Sequence, residues 1–358
     1  MTGMNRRQAL RVVMGSGAAL ATAVPAAAPA LQWRERGLLA FGTTVWLQAG
    51  HANPAVATAG IDAAVAAVQR VDQQMSLFRP DSLVSQLNRE GVLHQPPADL
   101  LGLLRLAARI SAASAGAFDA TVQPLWALWA RAHSQGRRPS AAELSQARAL
   151  VDWRGVQLKP QAIRLARPGM AITLNGIAQG HAADMARQAL LQHGVADALL
   201  DTGEWWPMGA SADAGPWRLG VHDPHAMRRE AGATNAARSD LAASRSAAAD
   251  AQRILGALIA DGRALACSSD DKLSFSADHR DHHILDPRSG SSPTQLSTVV
   301  VAAPSAALAD GLTKPMFMGS AADALALARR WSVDVLTVDK AGRIAMSPGL
   351  KLLPPTHA

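Results

Sequence analysis

The 358-residue sequence contains a single cysteine, Cys267. That excludes an internal disulfide framework and any multi-cysteine zinc or iron–sulfur site. No uninterrupted apolar run of membrane-spanning length follows the N-terminal segment, which excludes a polytopic membrane protein. Charged residues make up 18% and hydrophobic residues 49% of the chain, unlike the apolar-poor, charge-rich composition of a disordered protein. There are no internal repeats and no clean interdomain linker, and the length suffices to bury a real core. The net charge of +7 and the pI near 10.6 point at first to nucleic acid. The basic residues are scattered, however, as in Arg137-Arg138, Arg228-Arg229 and Arg329-Arg330, without the interleaved aromatics of a nucleic-acid groove.

Part of that charge belongs to an address. Residues 1–30 carry Arg6, Arg7 and Arg11 and no acidic residue, and without them the net charge falls to +4. A mildly apolar stretch, Val12 to Val24, follows, and small residues crowd Ala26 to Ala30. This is the order of an export signal, and the adjacent arginines resemble a twin-arginine signal, which moves folded proteins. The expectation is a periplasmic protein, held at the inner membrane surface if the signal is not cleaved. A lone cysteine fits such a protein if it does not rely on disulfides.

The remaining chain, 31–358, reads as one α+β catalytic domain with a mixed or antiparallel sheet and packed helices. Gly42–Leu47 reads as a strand. Helices are expected over Ala57–Met75, where Ile61, Val65, Val68 and Val71 recur near helical spacing, and over Leu100–Ser114 and Gly180–His193. Ser140-Ala141-Ala142-Glu143 is a capping box opening a further helix. Short apolar runs at Ala198–Leu200, Trp217–Val221, Ser297–Ala303 and Val333–Val338 read as strands, the last before a turn at Asp339–Gly342. Helices precede strands, which favours α+β. Residues 226–252, a low-complexity run of Ala, Arg, Ser and Asp, read as a mobile surface insertion.

Five segments combine turn-forming Gly or Pro with a few polar residues in apolar surroundings. Asp72–Ser82 ends a helix in a Pro-Asp-Ser turn. Gly116–Trp126 delivers Phe118 beside Asp119, which suits a flat ring with polar edges or, equally, a core aromatic beside a helix cap. Leu174-Asn175-Gly176-Ile177-Ala178-Gln179-Gly180 puts two glycines before a helix, where backbone groups can approach a phosphate. His279, His282 and His283 invite a zinc site, yet adjacent His282 and His283 point apart in an extended segment. Asp286-Pro287-Arg288-Ser289-Gly290 is a good turn by itself. Asp310 and Thr313, three residues apart on a helical turn, are hard oxygen donors of the kind that suits Mg²⁺, or a cap.

Taken in order, GAFDATVQPLW, LNGIAQGHAAD, HHILDPRSG and ADGLTK resemble the FAD:protein FMN transferase (ApbE) family, over most of the chain from Phe41 through Gly319. The resemblance implies that FAD binds as substrate with Mg²⁺ on its pyrophosphate. It further implies that the FMN half passes to a Ser or Thr hydroxyl of an acceptor flavoprotein, with release of AMP. By position it implies metal ligation by the Gly176 carbonyl, Asp310 and the Thr313 hydroxyl. Flavin contacts would fall to Phe41, Phe78, Ala117, Phe118, Asp119, Thr173 and Gln179, and His283 would stand as the active-site histidine, a base or positioner for the acceptor hydroxyl.

The chain departs from the family pattern at several of these positions. Thr173 stands where many members carry Asp, and Gln179 where they carry Lys. Lys314 occupies the place of a hydroxyl four residues after the metal Asp, so that either a one-residue shift to Thr313 or Lys314 acting on phosphate would complete the site, and Gly203-Glu204-Trp205 replaces a double glycine. The competing expectations are an Mg²⁺-dependent FAD pyrophosphatase using water as nucleophile, a non-catalytic periplasmic flavin-binding maturation factor, and a zinc hydrolase.

Overall fold

The computed structural model describes residues 30–225, 254–276 and 278–355. The expected export signal, apart from its last residue, and the insertion expected at 226–252 lie outside the described residues. A hairpin of β1 (Gln32–Ala40) and β2 (Thr43–His51) leads into α1 (Pro54–Met75) and α2 (Leu83–Glu90). Then come β3 (Val92–His94), α3 (Ala98–Ala113), α4 (Gln123–Ser134), α5 (Ala141–Arg148), β4 (Val156–Lys159), β5 (Ala162–Leu165) and α6 (Ala178–Gln192). The second half contains β6 (Asp197–Asp201), β7 (Trp205–Met208), β8 (Arg218–His222), β9 (Ile254–Ile259), β10 (Ala264–Ser269) and β11 (Leu296–Ala303). It closes with α7 (Ala306–Phe317), α8 (Ala321–Trp331), β12 (Asp334–Asp339), β13 (Ile344–Met346) and β14 (Leu352–Leu353).

Eight strands form one antiparallel sheet in the order β1-β2-β6-β7-β10-β11-β12-β13, and two three-stranded sheets, β14-β9-β8 and β3-β5-β4, flank it. Every residue of β11 is buried. The period of two explains this. Val299, Val301 and Ala303 enter the main core under the helices, while Val300 and Ala302 point the other way into a second cluster with Leu219, Val221 and Leu258 of the small sheet. Burying each such valine on either face is worth about 1.5–3 kcal/mol, so one strand ties three layers together.

On the helical side, α1 packs against α6 and the β1–β2 hairpin, α6 against α7, and α7 against β10 and β11. Asn53 caps α1 by accepting from the Ala55 amide, with Pro54 in the first turn. The expected capping box is present at Ser140 and Glu143, opening α5. The strand expected at Gly42–Leu47 is the start of the longer β2, and its partner β1 carries no alternation clear enough to announce it.

Candidate active site

Loops from both halves of the chain enclose a cavity of about 710 Å³ between the large sheet and the β8–β9 edge. All seven residues expected to contact flavin line it, together with Gly176 and His283. One wall is the tip of the first hairpin. Its two-residue turn, Phe41-Gly42, has both φ angles positive, 54° and 73°, the geometry whose twist matches paired strands. Phenylalanine resists that conformation. Asp72, at the end of α1, holds it by accepting from the Phe41 amide at 2.7 Å. A Cβ on Gly42 would sit 2.9 Å from the Phe78 ring, so glycine is needed for Phe78 to close over the turn. Phe78 itself is 62% exposed, an aromatic face presented at the cavity mouth.

Asp119 lines the cavity, but its oxygens are already occupied. Oδ1 accepts from the amide and hydroxyl of Thr121 at 2.7 and 2.6 Å, and Oδ2 from the Trp153 amide at 3.0 Å. Burial raises its pKa in spite of these donors. The carboxylate therefore fixes the loop that presents Ala117 and Phe118, and it is the cap of the short 3-10 turn Ala120–Val122. Thr173 hangs from the same loop through its amide, which donates to the Ala120 carbonyl at 2.8 Å.

Gln179 opens α6. Its side-chain amide donates to the Thr202 carbonyl at 2.7 Å, and the Thr202 hydroxyl donates back to the Gln179 carbonyl at 2.8 Å. Gly203, at φ 95°, has no room for a Cβ, which would lie 2.3 Å from that amide nitrogen. Gly180 serves packing rather than phosphate approach, because its Cβ would fall 2.2 Å from the Ala306 carbonyl oxygen of α7. Asp184, one turn on, accepts from the Ala306 and Ala307 amides at 2.7 and 3.0 Å and from the Trp206 indole at 2.8 Å. The segment from Gly180 to Asp184 thus seats α7 on α6.

The expected metal ligands are not arranged as an oxygen cage. Asp310 is fully buried behind Lys314, and its Oδ1 accepts from the Lys314 ammonium at 2.5 Å while Oδ2 accepts from the Gly180 amide at 3.3 Å. The Thr313 hydroxyl donates to the Asp310 carbonyl at 2.7 Å and accepts from Ser268 at 2.8 Å, with no exposure. Gly176 lines the cavity, but the Lys314 stem lies against it, with Cε 3.0 Å from where a Cβ would be. A divalent ion would have to share Asp310 Oδ1 with an ammonium, and Thr313 is fully buried and does not line the cavity. These residues do not fit Mg²⁺ as they stand. Among the described residues, no three His, Cys, Asp or Glu side chains converge for a metal either.

Glu204, which the sequence marks only as part of a replaced double glycine, belongs to the site. It is buried, lines the cavity, and accepts from the Cys267 amide at 3.0 Å. Burial, and then the Asp310 charge, push its pKa well up. Burial works against the Lys314 charge, but the Asp310 and Glu204 carboxylates outweigh it and raise the lysine pKa. Burial beside Glu204 also pushes the Cys267 thiol up to about 12, which leaves it a protonated thiol and no nucleophile. The signal for Glu204 was a charged residue between glycine and tryptophan, ahead of an apolar strand.

The adjacent histidines separate as expected. His282 is fully buried, its Nε2 facing the Pro293 carbonyl at 3.1 Å and its ring edge-on to Phe317. Burial holds its pKa at about 4. His283 lines the cavity and sets Nδ1 3.0 Å from the Leu273 carbonyl. A carbonyl can only accept, so Nδ1 carries the proton and Nε2 presents a lone pair. Burial lowers the His283 pKa, which favours the neutral imidazole, the form whose Nε2 can accept a proton. The loop rests on α4, where the Trp129 indole donates to the Gly290 carbonyl at 2.8 Å and stacks on Phe275. The Asp286–Gly290 turn forms as expected, with the Gly290 amide donating to the Asp286 carbonyl at 2.7 Å.

A sequence model of the ApbE family matches residues 41–337. The FAD:protein FMN transferase of Klebsiella pneumoniae (strain 342) is 27% identical to this chain over 292 residues, covering 80% of this chain and 84% of the relative. Among solved structures, the ApbE protein of Thermotoga maritima superposes with a TM-score of 0.73 at 24% identity, covering 88% of this chain and 97% of that one. The apo form of the flavinyl transferase ApbE of Pseudomonas stutzeri superposes with a TM-score of 0.69 at 26% identity, covering 88% and 94%.

Proposed function

This chain belongs to the ApbE family, and from that premise we propose that it is an FAD:protein FMN transferase. FAD is the substrate, and the acceptor is a flavoprotein with a reactive Ser or Thr. The observation that carries the proposal is the convergence of all four motif segments on one cavity, with a neutral imidazole and an ammonium on its walls. In the transfer, the acceptor hydroxyl oxygen bonds to the phosphorus of the FMN half while its proton passes to His283 Nε2. The bond from that phosphorus to the bridging oxygen breaks, and AMP leaves with the electron pair. The product is a phosphoester. The cavity lining holds three aromatics, Phe78 exposed and Phe41 and Phe118 buried, which suits the isoalloxazine ring.

Mg²⁺, implied by the family resemblance, would need Asp310, Gly176 and Thr313 as donors. Their present bonds do not accommodate it. Export to the periplasm, from the arginine pair and small-residue run of residues 1–30, completes the proposal, and it would bring the enzyme to exported acceptor proteins.

The test is to incubate the full chain with FAD and an exported flavoprotein domain bearing a candidate Ser/Thr site, following acceptor mass, AMP and free FMN. The expected result is a gain of one FMN per acceptor with matching AMP. His283→Ala is expected to retain FAD and lose roughly 10²- to 10⁴-fold in turnover, the usual contribution of a positioned base. AMP with free FMN and an unmodified acceptor would replace the proposal with a pyrophosphatase. FAD bound without AMP would replace it with a flavin carrier.

A further inference from the structure

We propose that the Lys314 ammonium is the cation that meets the FAD pyrophosphate in this protein, so that phosphate binding is independent of divalent metal. The inference rests on the transferase reading for the identity of the ligand, and on three observations for the rest.

The first is position. Lys314 lies on α7 one turn after Asp310, its stem passes against Gly176, and its side chain, 23% exposed, lines the cavity. The ammonium therefore fills the space between Asp310 and Gly176 in which the family resemblance would put a metal ion. The second is donor capacity. An ammonium has three N–H donors. One goes to Asp310 Oδ1 at 2.5 Å and a longer contact reaches the Asp310 carbonyl at 3.4 Å, which leaves at least one donor for the cavity. The third is the fate of the oxygen donors. Asp310 Oδ1 is bound by the lysine, Oδ2 by the Gly180 amide, and the Thr313 hydroxyl is satisfied by the Asp310 carbonyl and Ser268. Asp310 is thus the carboxylate that orients Lys314 and keeps it charged.

The consequence for the reaction is specific. Lys314 pairs with non-bridging pyrophosphate oxygens in the bound substrate and stays with the departing AMP phosphate as the bridging bond breaks. It supplies charge without exchanging a proton. Lysine can do this as a point charge, as it does in other phosphate sites.

The test uses the full chain stripped of metal and measures FAD affinity by quenching of flavin fluorescence, with EDTA and with excess Mg²⁺, alongside riboflavin as a ligand without phosphates. Wild type is expected to bind FAD equally, within about twofold, in both conditions. Lys314→Ala is expected to weaken FAD at least about tenfold, the loss of one charge-assisted bond, and to leave riboflavin unchanged. Lys314→Thr, which restores a hydroxyl four residues after Asp310, is expected to bind FAD tightly only with Mg²⁺. FAD binding by wild type that needs Mg²⁺ would overturn this inference and leave the transferase reading standing. Equal loss of FAD and riboflavin in Lys314→Ala would reduce the lysine to a structural role. Absence of FAD binding in every condition would remove the inference and the transferase reading together. Metal-independent FAD binding without transfer to any acceptor would remove only the latter.

Discussion

Replacing Gly180 with alanine tests whether the glycine before α6 exists for a ligand or for a helix. An alanine Cβ would lie 2.2 Å from the Ala306 carbonyl oxygen and 2.8 Å from the Ala307 nitrogen. Both are backbone atoms, so no rotamer change relieves the contact. An ordinary carbon–oxygen separation requires α6 and α7 to part by roughly 1 Å. Overpacking of this kind costs about 1–3 kcal/mol. Parting the helices also stretches the bonds from the Ala306 and Ala307 amides to Asp184, each worth about 1 kcal/mol net. Against this, alanine is favoured over glycine within a helix by about 1 kcal/mol. The balance is a loss of about 2–4 kcal/mol, or roughly 4–8 °C in Tm if a domain of this size loses about 2 °C per kcal/mol. Thermal unfolding followed by circular dichroism measures it. Gly180 does not line the cavity, so any loss of FAD affinity is expected only together with the loss in Tm, through the bond from the Gly180 amide to Asp310. An unchanged Tm with weakened FAD binding would refute the packing account and restore a phosphate role for this glycine.

Two further outcomes follow from the same contacts. His282 keeps a pKa of about 4 when folded against an ordinary 6.5, so the unfolded chain takes up a proton first. Stability should therefore fall as pH drops from about 6.5 to about 4, by roughly 3 kcal/mol in all, and level off below. Urea unfolding across that range measures the slope, and its persistence in His282→Gln would assign it to other groups. Gly203→Ala adds a left-handed strain of about 1–3 kcal/mol and displaces the Gln179 amide from Thr202. Denaturant midpoints should drop accordingly, whereas a midpoint equal to wild type would show that the Gln179–Thr202 clamp carries no stability.

Much of the fold was legible where a single period ruled a segment. Helices α1, α3 and α6 and strands β6, β8, β11 and β12 fall within a few residues of their expected spans, because the helices, β6 and β8 each bury one face, while β11 and β12 are continuous apolar runs buried on both. β1 and β9 were not legible. β1 has a largely solvent-facing pattern along the edge of the sheet, and β9 pairs with strands before and after it in the chain, so only the assembled layer gives its residues a partner. α7 was visible only as one turn at Asp310. It is apolar or small nearly all round, as a helix enclosed by α6, β10 and β11 must be, and Pro315 within it reads from sequence as a stop.

The cavity residues were legible as a set because turn-forming residues and aromatics mark them locally. The charges were not, because the pairs that decide them are remote in sequence. Thr173 and Gln179 read as two charges lost together, a lost mutual pair. Yet Gln179 abuts Gly203, the next residue is Glu204, and the Glu204 carboxylate shares its electrostatic surroundings with Asp310 and Lys314. The resemblance implies an acid at 173 and a base at 179; here an acid stands at 204 and a base at 314, lining the same cavity. Such a change leaves no trace in the spacing of any one motif, since the partners are separated by more than a hundred residues. It also means that single substitutions toward the family pattern are poor tests. Gln179→Lys alone would bring a second cation into the cavity with Lys314 still in place, and like charges in a dry site repel strongly. Only paired changes, at 179 with 314 or at 173 with 204, keep the local charge constant and ask whether its position matters.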